Sequence, residues 1–90
     1  MSYTVTWSIR SKKRLNKLEQ KIAISIIKKV EEIKTNPLHF LDKLTKIKAF
    51  KLRVGDYRVI IDLNENEKSL VVLTLGHRKD VYKEIGKLFS

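Results

Sequence analysis

The chain has 90 residues, of which 42% are hydrophobic and 33% are charged, and it contains no cysteine. A chain of this length builds one modest core, and the lack of cysteine excludes disulfide scaffolds, zinc fingers, iron–sulfur sites and cysteine nucleophiles. Twenty lysines and arginines against ten acids give a net charge of +10, which is typical of a protein that binds a polyanion such as nucleic acid.

These properties predict a single domain, residues 1–90, in the cytoplasm. No stretch has the apolar core of a signal peptide, and no apolar run approaches the roughly 18 residues that a membrane span needs, so we expect no membrane partner. The absence of cysteine fits a reducing compartment. A basic surface that is merely solvated is the plain alternative to a polyanion site.

The first half of the chain predicts a strand followed by a helical hairpin. Residues 3–7 alternate, with Tyr3, Val5 and Trp7 on the buried face of a short strand, and Ser8 follows as a helix N-cap. Apolar residues then recur every three or four positions through residue 33, which predicts helix. This stretch is long for one helix in a small domain, so we expect a break near residues 19–21. Pro37 ends the helical region.

The second half predicts a three-stranded meander and a closing helix. Residues 38–48 form a connector, and period-two alternation then marks strands at 50–54 and 57–62 around a Gly55-Asp56 turn. The apolar run 70–75 indicates a central strand, and 81–89 a short amphipathic helix. The fold class is therefore α+β, in the order β-α-α-β-β-β-α, with the hairpin on one face of a four-stranded, mainly antiparallel sheet. We expect the opposite face to be free of helices and open to solvent or a partner.

Basic residues gather on that open face. Lys51 and Arg53 leave the core side of their strand together, Arg58 joins them across the turn, and Arg78 follows the central strand. Residues 43–58 contain six basic residues against one acid, Asp56. This density favours a groove for phosphates. The basic residues of that segment are Lys43, Lys46, Lys48, Lys51, Arg53 and Arg58.

Two segments carry a family resemblance. Residues 50–61 are Phe-Lys-Leu-Arg-Val-Gly-Asp-Tyr-Arg-Val-Ile-Ile, and residues 75–82 are Leu-Gly-His-Arg-Lys-Asp-Val-Tyr. Together they resemble the RelE/ParE superfamily of toxin–antitoxin toxins, with RelE-type messenger-RNA interferases as the nearest group. The resemblance implies a ribosome-dependent endonuclease that cleaves messenger RNA in the A site. It also implies a cognate acidic antitoxin of RelB type as a partner.

The resemblance further implies a catalytic set. Its pattern has two basic residues before the turn, an arginine after the following tyrosine, and an arginine and a tyrosine after the last strand. These positions hold Lys51, Arg53, Arg58, Arg78 and Tyr82. Arg53 stands where RelE patterns often have lysine.

Cleavage of RNA by its own 2′-hydroxyl needs a base, charge stabilisation at phosphorus and help for the leaving oxygen. Arg53 and Arg58 are candidates to hold the phosphate, and Arg78 to stabilise charge near the leaving oxygen. Lys51 is the candidate base if neighbouring cations lower its pKa. Tyr82 either stacks on a base, orients the hydroxyl or packs on the sheet. The scattered carboxylates and absent cysteines favour no metal and no cofactor.

The remaining candidates are RNA contacts. Lys46 and Lys48 belong to the basic segment, and His77 is either an RNA contact near the leaving group or a capping and packing residue. Two other functions stay open. One is a ParE-like toxin that acts on DNA gyrase and is no nuclease. The other is a non-toxic, basic nucleic-acid-binding domain.

Overall fold

A computed structural model describes residues 2–89. In that part of the chain the elements are β1 (Thr4–Trp7), α1 (Ile9–Asn16), α2 (Gln20–Ile33), α3 (Pro37–Phe40), β2 (Asp42–Lys43), β3 (Phe50–Val54), β4 (Tyr57–Asn64), β5 (Ser69–His77) and α4 (Val81–Phe89). No helix among these residues has both the length and the apolar character needed to cross a bilayer.

The strands form a mixed sheet in the order β1-β5-β4-β3-β2. The meander β3-β4-β5 is antiparallel, and β1 pairs in parallel with β5, with Thr4 opposite Ser69. The predicted α+β class and the central place of β5 are confirmed. The two residues of β2, which pair with β3, lie in the predicted connector, as does the single turn of α3. Pro37 occupies the first turn of α3, where its missing N–H is not needed.

The helical hairpin is confirmed, with its break at residues 17–19, slightly earlier than predicted. Ser8 caps α1, because its hydroxyl accepts a hydrogen bond from the Ser11 N–H at 3.1 Å. After the break, α2 directs one apolar stripe onto the sheet. Ile26, Val30 and Ile33 are fully buried there against side chains of β3, β4 and β5, and Trp7 packs beside them as predicted. We call this side the hairpin face.

The opposite side, the α4 face, is only partly open. The expectation that it carries no helix was wrong, because α4 and the connector pack on it around a small cluster of Ala49, Ile60 and Val81. Only two residues separate the end of β5 at His77 from Asp80, which precedes α4, so the chain folds directly back onto the sheet. The uncovered part of this face lies over β3 and the start of β4.

Helix α1 completes the edge of β5 that β1 leaves unpaired. The β1–β5 pairing ends with Trp7 opposite Val72. Beyond it, the Ser8 hydroxyl donates to the Leu73 carbonyl at 2.8 Å, and Arg14 Nε donates to the Leu75 carbonyl at 3.3 Å. These side chains satisfy backbone acceptors that a strand would otherwise bind.

Arg14 also joins α1 to α4 around that edge. Its Nη1 lies 2.9 Å from Oε1 of Glu84, a carboxylate on α4 that is only 5% exposed. Arg14 passes close to Gly76, where a Cβ would lie 3.3 Å from Nη2. The ion pair therefore holds α4 against the sheet from the side, in addition to the packing of Val81 and Ile85.

Candidate active site

The structure brings three of the predicted cations together on the α4 face. Arg53 of β3 lies directly opposite Arg58 of β4, and Lys51 lies one step away, opposite Ile60. The alternate residues Leu52 and Val59 are buried on the hairpin face, so the period of two sends the cations to the other side. We call Lys51, Arg53 and Arg58 the cationic row.

The pairing of Arg53 with Arg58 is electrostatically unfavourable in the isolated protein. Side chains directly opposite in an antiparallel pair have Cβ atoms about 4.5–5.5 Å apart, and like charges there destabilise the sheet. No acid of the described residues forms an ion pair with either arginine. A bound anion would remove the repulsion, so the pair is suited to a phosphate group.

The β3–β4 turn positions two arginines. Gly55 adopts φ +58°, a left-handed conformation that favours glycine. Arg58 Nη1 donates to the carbonyls of Gly55 and Tyr57, both at 2.9 Å, which leaves Nη2 and Nε without a partner among the described residues. The Arg78 N–H donates to the Asp56 carbonyl at 2.8 Å, and its Nε lies 3.8 Å from the Asp56 carboxylate. Arg78 thus stands beside the same turn.

Tyr82 stands over a cleft at the side of α4. Its side chain is exposed, and the cleft of about 220 Å³ is lined by Leu44, Ile47 and Ile85, with Lys46 at its border. The alternative that Tyr82 packs on the sheet is wrong, because Val81 and Ile85 occupy that position. An exposed ring above an apolar cleft, with a cation beside it, has the composition of a base-stacking site.

Two predicted RNA contacts lie away from the cationic row. Lys48 borders a cavity formed by residues 62–66 at the β4–β5 turn, at the far end of β3 from Arg53. His77 is opposite Tyr57 in the β4–β5 register and shares its position on the hairpin face. The two rings meet edge-on with centroids 5.5 Å apart, and Nδ1 of His77 accepts from the Lys79 N–H at 3.1 Å. The contacts of His77 within the described chain are those of a capping and packing residue, and its role as an RNA contact stays a prediction.

The basic run of residues 12–14 is typical of a solvated helix face by sequence, yet its member Arg14 lies beside His77. Arg14 and Lys17 line the same cavity as His77 and Tyr57. The sequence does carry a signal for them, because α1 combines basic residues at helical spacing with no acid in its first turn. Their proximity to His77 depends on how α1 docks on β5. Among residues 2–89 no group of three or more histidines or carboxylates is placed to hold a metal ion.

Comparison with known proteins assigns the chain to a family. Residues 5–82 match the family model described as the ParE toxin of the type II toxin–antitoxin system parDE. The chain belongs to the RelE/ParE toxin family. It is 27% identical to Toxin RelG of Mycobacterium tuberculosis over 86 residues, which cover 92% of this toxin and 99% of RelG. It is 30% identical to the putative toxin RelE4 of Methanocaldococcus jannaschii over 79 residues, covering 86% of this toxin and 83% of RelE4.

Solved structures show the same fold. The toxin–antitoxin complex RelBE2 of Mycobacterium tuberculosis contains a chain that superposes on this toxin with a TM-score of 0.81 at 23% identity, covering 87% of this toxin and 100% of that chain. The match of the family model over residues 5–82 confirms the predicted family, and this protein is a toxin of a type II toxin–antitoxin system. The catalytic and RNA-binding roles of its individual residues remain predictions.

Proposed function

We propose that this toxin is a ribosome-dependent endoribonuclease that cleaves messenger RNA in the cytoplasm and so stops translation. The observation that supports the proposal most directly is the cationic row, in which two arginines face each other with no acid between them. Such a row has the geometry to hold a phosphodiester, because guanidinium groups bind phosphate oxygens bidentately. Arg78 adds a further cation at the turn beside the row.

The row can support internal transesterification. The 2′-hydroxyl attacks the adjacent phosphorus, a 2′-oxygen–phosphorus bond forms, and the bond to the 5′-oxygen breaks, which leaves a cyclic phosphate and a 5′-hydroxyl. Lys51, in its unprotonated form, accepts the proton of the 2′-hydroxyl. Arg53 and the unpartnered nitrogens of Arg58 stabilise the charge that develops on the phosphorane. Arg78 stabilises the leaving oxygen, which takes its proton from water.

The row is poor in acid–base groups, and this supports a requirement for the ribosome. The row consists of one lysine and two arginines. Among the described residues, Asp42 of β2 is the one carboxylate directly in register with it, opposite Lys51, and His77 lies on the other side of the sheet. Correct placement of reacting groups is worth many orders of magnitude in rate. A ribosome that orients the messenger RNA against the row would therefore supply what the side chains do not. Tyr82 would then stack on a base beside the scissile bond.

We infer that an acidic antitoxin of RelB type neutralises this toxin. The related RelBE2 protein is a toxin–antitoxin complex, and the net charge of +10 favours an acidic partner by electrostatic complementarity. Association should be fast at low salt and slower at high salt, because screening acts within about 10 Å at 0.1 M. Stopped-flow mixing with the acidic protein encoded beside the toxin gene tests this, and a salt-independent rate would contradict it.

The nuclease proposal is tested on programmed ribosomes. Removing one preorganised charge from the site typically costs about 10²–10³ in rate, so Arg58→Ala should reduce messenger-RNA cleavage by that factor. Lys28→Ala is the matched control, because Lys28 is an exposed cation on the outer side of α2. Full cleavage by an Arg53→Ala, Arg58→Ala double variant would refute the site.

The family model that matches is named for the ParE toxin, and this favours a second candidate, inhibition of DNA gyrase. Induced expression separates the two. A nuclease halts protein synthesis while supercoiling continues, whereas a gyrase toxin blocks supercoiling first. A chain whose expression does neither would be a non-toxic nucleic-acid-binding domain.

A further inference from the structure

A second basic surface lies between α1 and α4, away from the cationic row. Its wider part, of about 380 Å³, is lined by Ile9, Arg10, Lys13, Arg14, Lys17 and Glu84. It continues into a cavity of about 220 Å³ that shares Arg14 and Lys17 and ends at His77. We call the two together the α1–α4 groove.

Four cations form one stripe along this groove. Arg10, Lys13, Arg14 and Lys17 are spaced by three or four residues, which places them on one side of α1. Lys13 and Lys17 form no ion pair with any described residue. The stripe extends for about 10 Å along the helix, at 1.5 Å per residue.

The acids of the groove do not cancel this charge. Glu84 is buried, and its carboxylate is occupied by Arg14 at 2.9 Å and Arg10 at 3.7 Å. Asp80 lies at the far end beside His77, and its carboxylate forms no ion pair with a described cation. Two carboxylates against four cations leave the groove with a net positive charge. Lys13 and Lys17 therefore face the groove as uncompensated charges.

The groove and the cationic row meet around the end of β5. His77 closes the groove on the hairpin side. The next residue, Arg78, donates its N–H to Asp56 of the β3–β4 turn, and the Arg58 side chain donates to Gly55 of the same turn. An RNA strand that leaves the cationic row past Arg78 enters the groove at His77, where the Tyr57 and His77 rings offer aromatic surface. Lys17 and Lys13 follow along α1.

We propose that the α1–α4 groove binds the phosphodiester backbone of single-stranded RNA outside the cleaved bond, as a continuation of the substrate strand. The inference rests on the proposed nuclease function, because it takes the strand to lie on the cationic row first. RNA fits better than an acidic peptide, since the stripe offers regularly spaced cations beside stacking rings. The apolar side chains of its lining, Ile9, Leu18, Leu75 and the Tyr57 ring, are outnumbered by its charged and polar residues.

The test compares RNA affinity across a salt series for two double variants of equal charge. Lys13→Ala with Lys17→Ala removes the stripe, while Lys21→Ala with Lys28→Ala removes two exposed lysines of α2. With an RNA of about 16 nucleotides, we measure the slope of the logarithm of the binding constant against the logarithm of salt concentration. The first variant should reduce the magnitude of this slope by about 1.4, at about 0.7 per lost phosphate contact, and the control variant should not change it. With about 4 nucleotides, which the cationic row alone can hold, both variants should behave as the unmodified protein.

The outcomes separate this inference from the nuclease proposal. Equal slopes for the stripe variant and the unmodified protein on the long RNA would overturn the groove as an RNA site. The RNA proposal would also be overturned if the stripe variant bound the acidic antitoxin more weakly but bound RNA as the unmodified protein does. The groove would then be a protein-binding surface. Loss of binding to both RNAs in the Arg53→Ala variant would support the cationic row as an RNA site, whichever result the stripe variant gives. Unchanged binding in that variant would count against the row itself.

Discussion

The Glu84 ion pair gives a quantitative test of how α4 is held. Glu84→Gln keeps the size of the side chain and removes its charge, which leaves Arg14 and Arg10 beside each other without a counter-ion. Oε1 of Glu84 lies 2.9 Å from Arg14 Nη1, and Oε2 is buried without a hydrogen bond. The variant therefore changes the electrostatics of this contact with little change in packing.

The expected cost lies between two known limits. An exposed pair contributes about 0.2–1 kcal/mol, whereas breaking a fully buried pair costs about 3–5 kcal/mol. Here the Glu84 side chain is 7% exposed and that of Arg14 is 33% exposed, so solvent screens one partner. We expect a loss of about 2 kcal/mol in the free energy of unfolding. For a domain of this size that lowers Tm by about 8–16 °C.

Thermal and denaturant unfolding measure the effect. The matched control is Glu31→Gln on α2, which removes a partner of Lys34 at 2.7 Å where both side chains are well exposed. This control should cost at most about 0.5 kcal/mol. A double-mutant cycle with Arg14→Ala isolates the coupling between the two groups.

Two results would refute the reasoning. If Glu84→Gln matched the stability of the control variant, the pair would not anchor α4. If Glu84→Gln and Arg14→Ala were additive in the cycle, the contact between them would not be the cause.

Three further variants test the site. Arg53→Ala should have the same Tm as the unmodified toxin or a higher one, because it relieves the repulsion with Arg58, while its cleavage of messenger RNA should fall. A clear drop in Tm would contradict the like-charge argument. Gly55→Ala should cost about 1–2 kcal/mol in denaturant unfolding, since Ala is strained at φ +58°, and a neutral effect would mean that the turn rearranges. Tyr82→Ala should lose about 1–3 kcal/mol of RNA affinity while Tyr82→Phe keeps it, if the ring stacks on a base; equal losses would implicate the hydroxyl instead.

The cationic row was predictable because strand periodicity is local. Once residues 50–54 and 57–62 alternate around a Gly-Asp turn, the side on which Lys51, Arg53 and Arg58 lie follows from their parity. The same rule does not reach His77, because the β4–β5 pairing shifts register between Ile60 and Ile61, and only beyond that shift does His77 lie opposite Tyr57 on the hairpin face. The separation of His77 from the row therefore depends on an irregularity in the sheet that the period of two does not show.

The positions of α4, β2 and the connector depend on tertiary contacts, which the periodicity of the sequence does not predict. The amphipathic pattern of α4 indicates a buried stripe but not which sheet face it covers, and the short loop after β5 decides that. Two residues of β2 are too few to show a period. Lys46 and Lys48 are only two positions apart in a basic segment, yet Lys46 borders the Tyr82 cleft and Lys48 borders the β4–β5 turn.

The parallel pairing of β1 with β5 sets the order in which the toxin can fold. The first strand has no partner until the last strand has been synthesised, since Ser8 and Leu73 are separated by 65 positions in sequence. Closing a loop of that length costs about 4 kcal/mol of chain entropy, and the cost is recovered only when β5 inserts between β1 and β4. A nascent chain that ends before β5 lacks the strand around which both layers pack, so the core forms only after β5 has been synthesised. Non-local closure of this kind favours slow, all-or-none folding, and we expect the toxin to become competent only once β5 lies between β1 and β4.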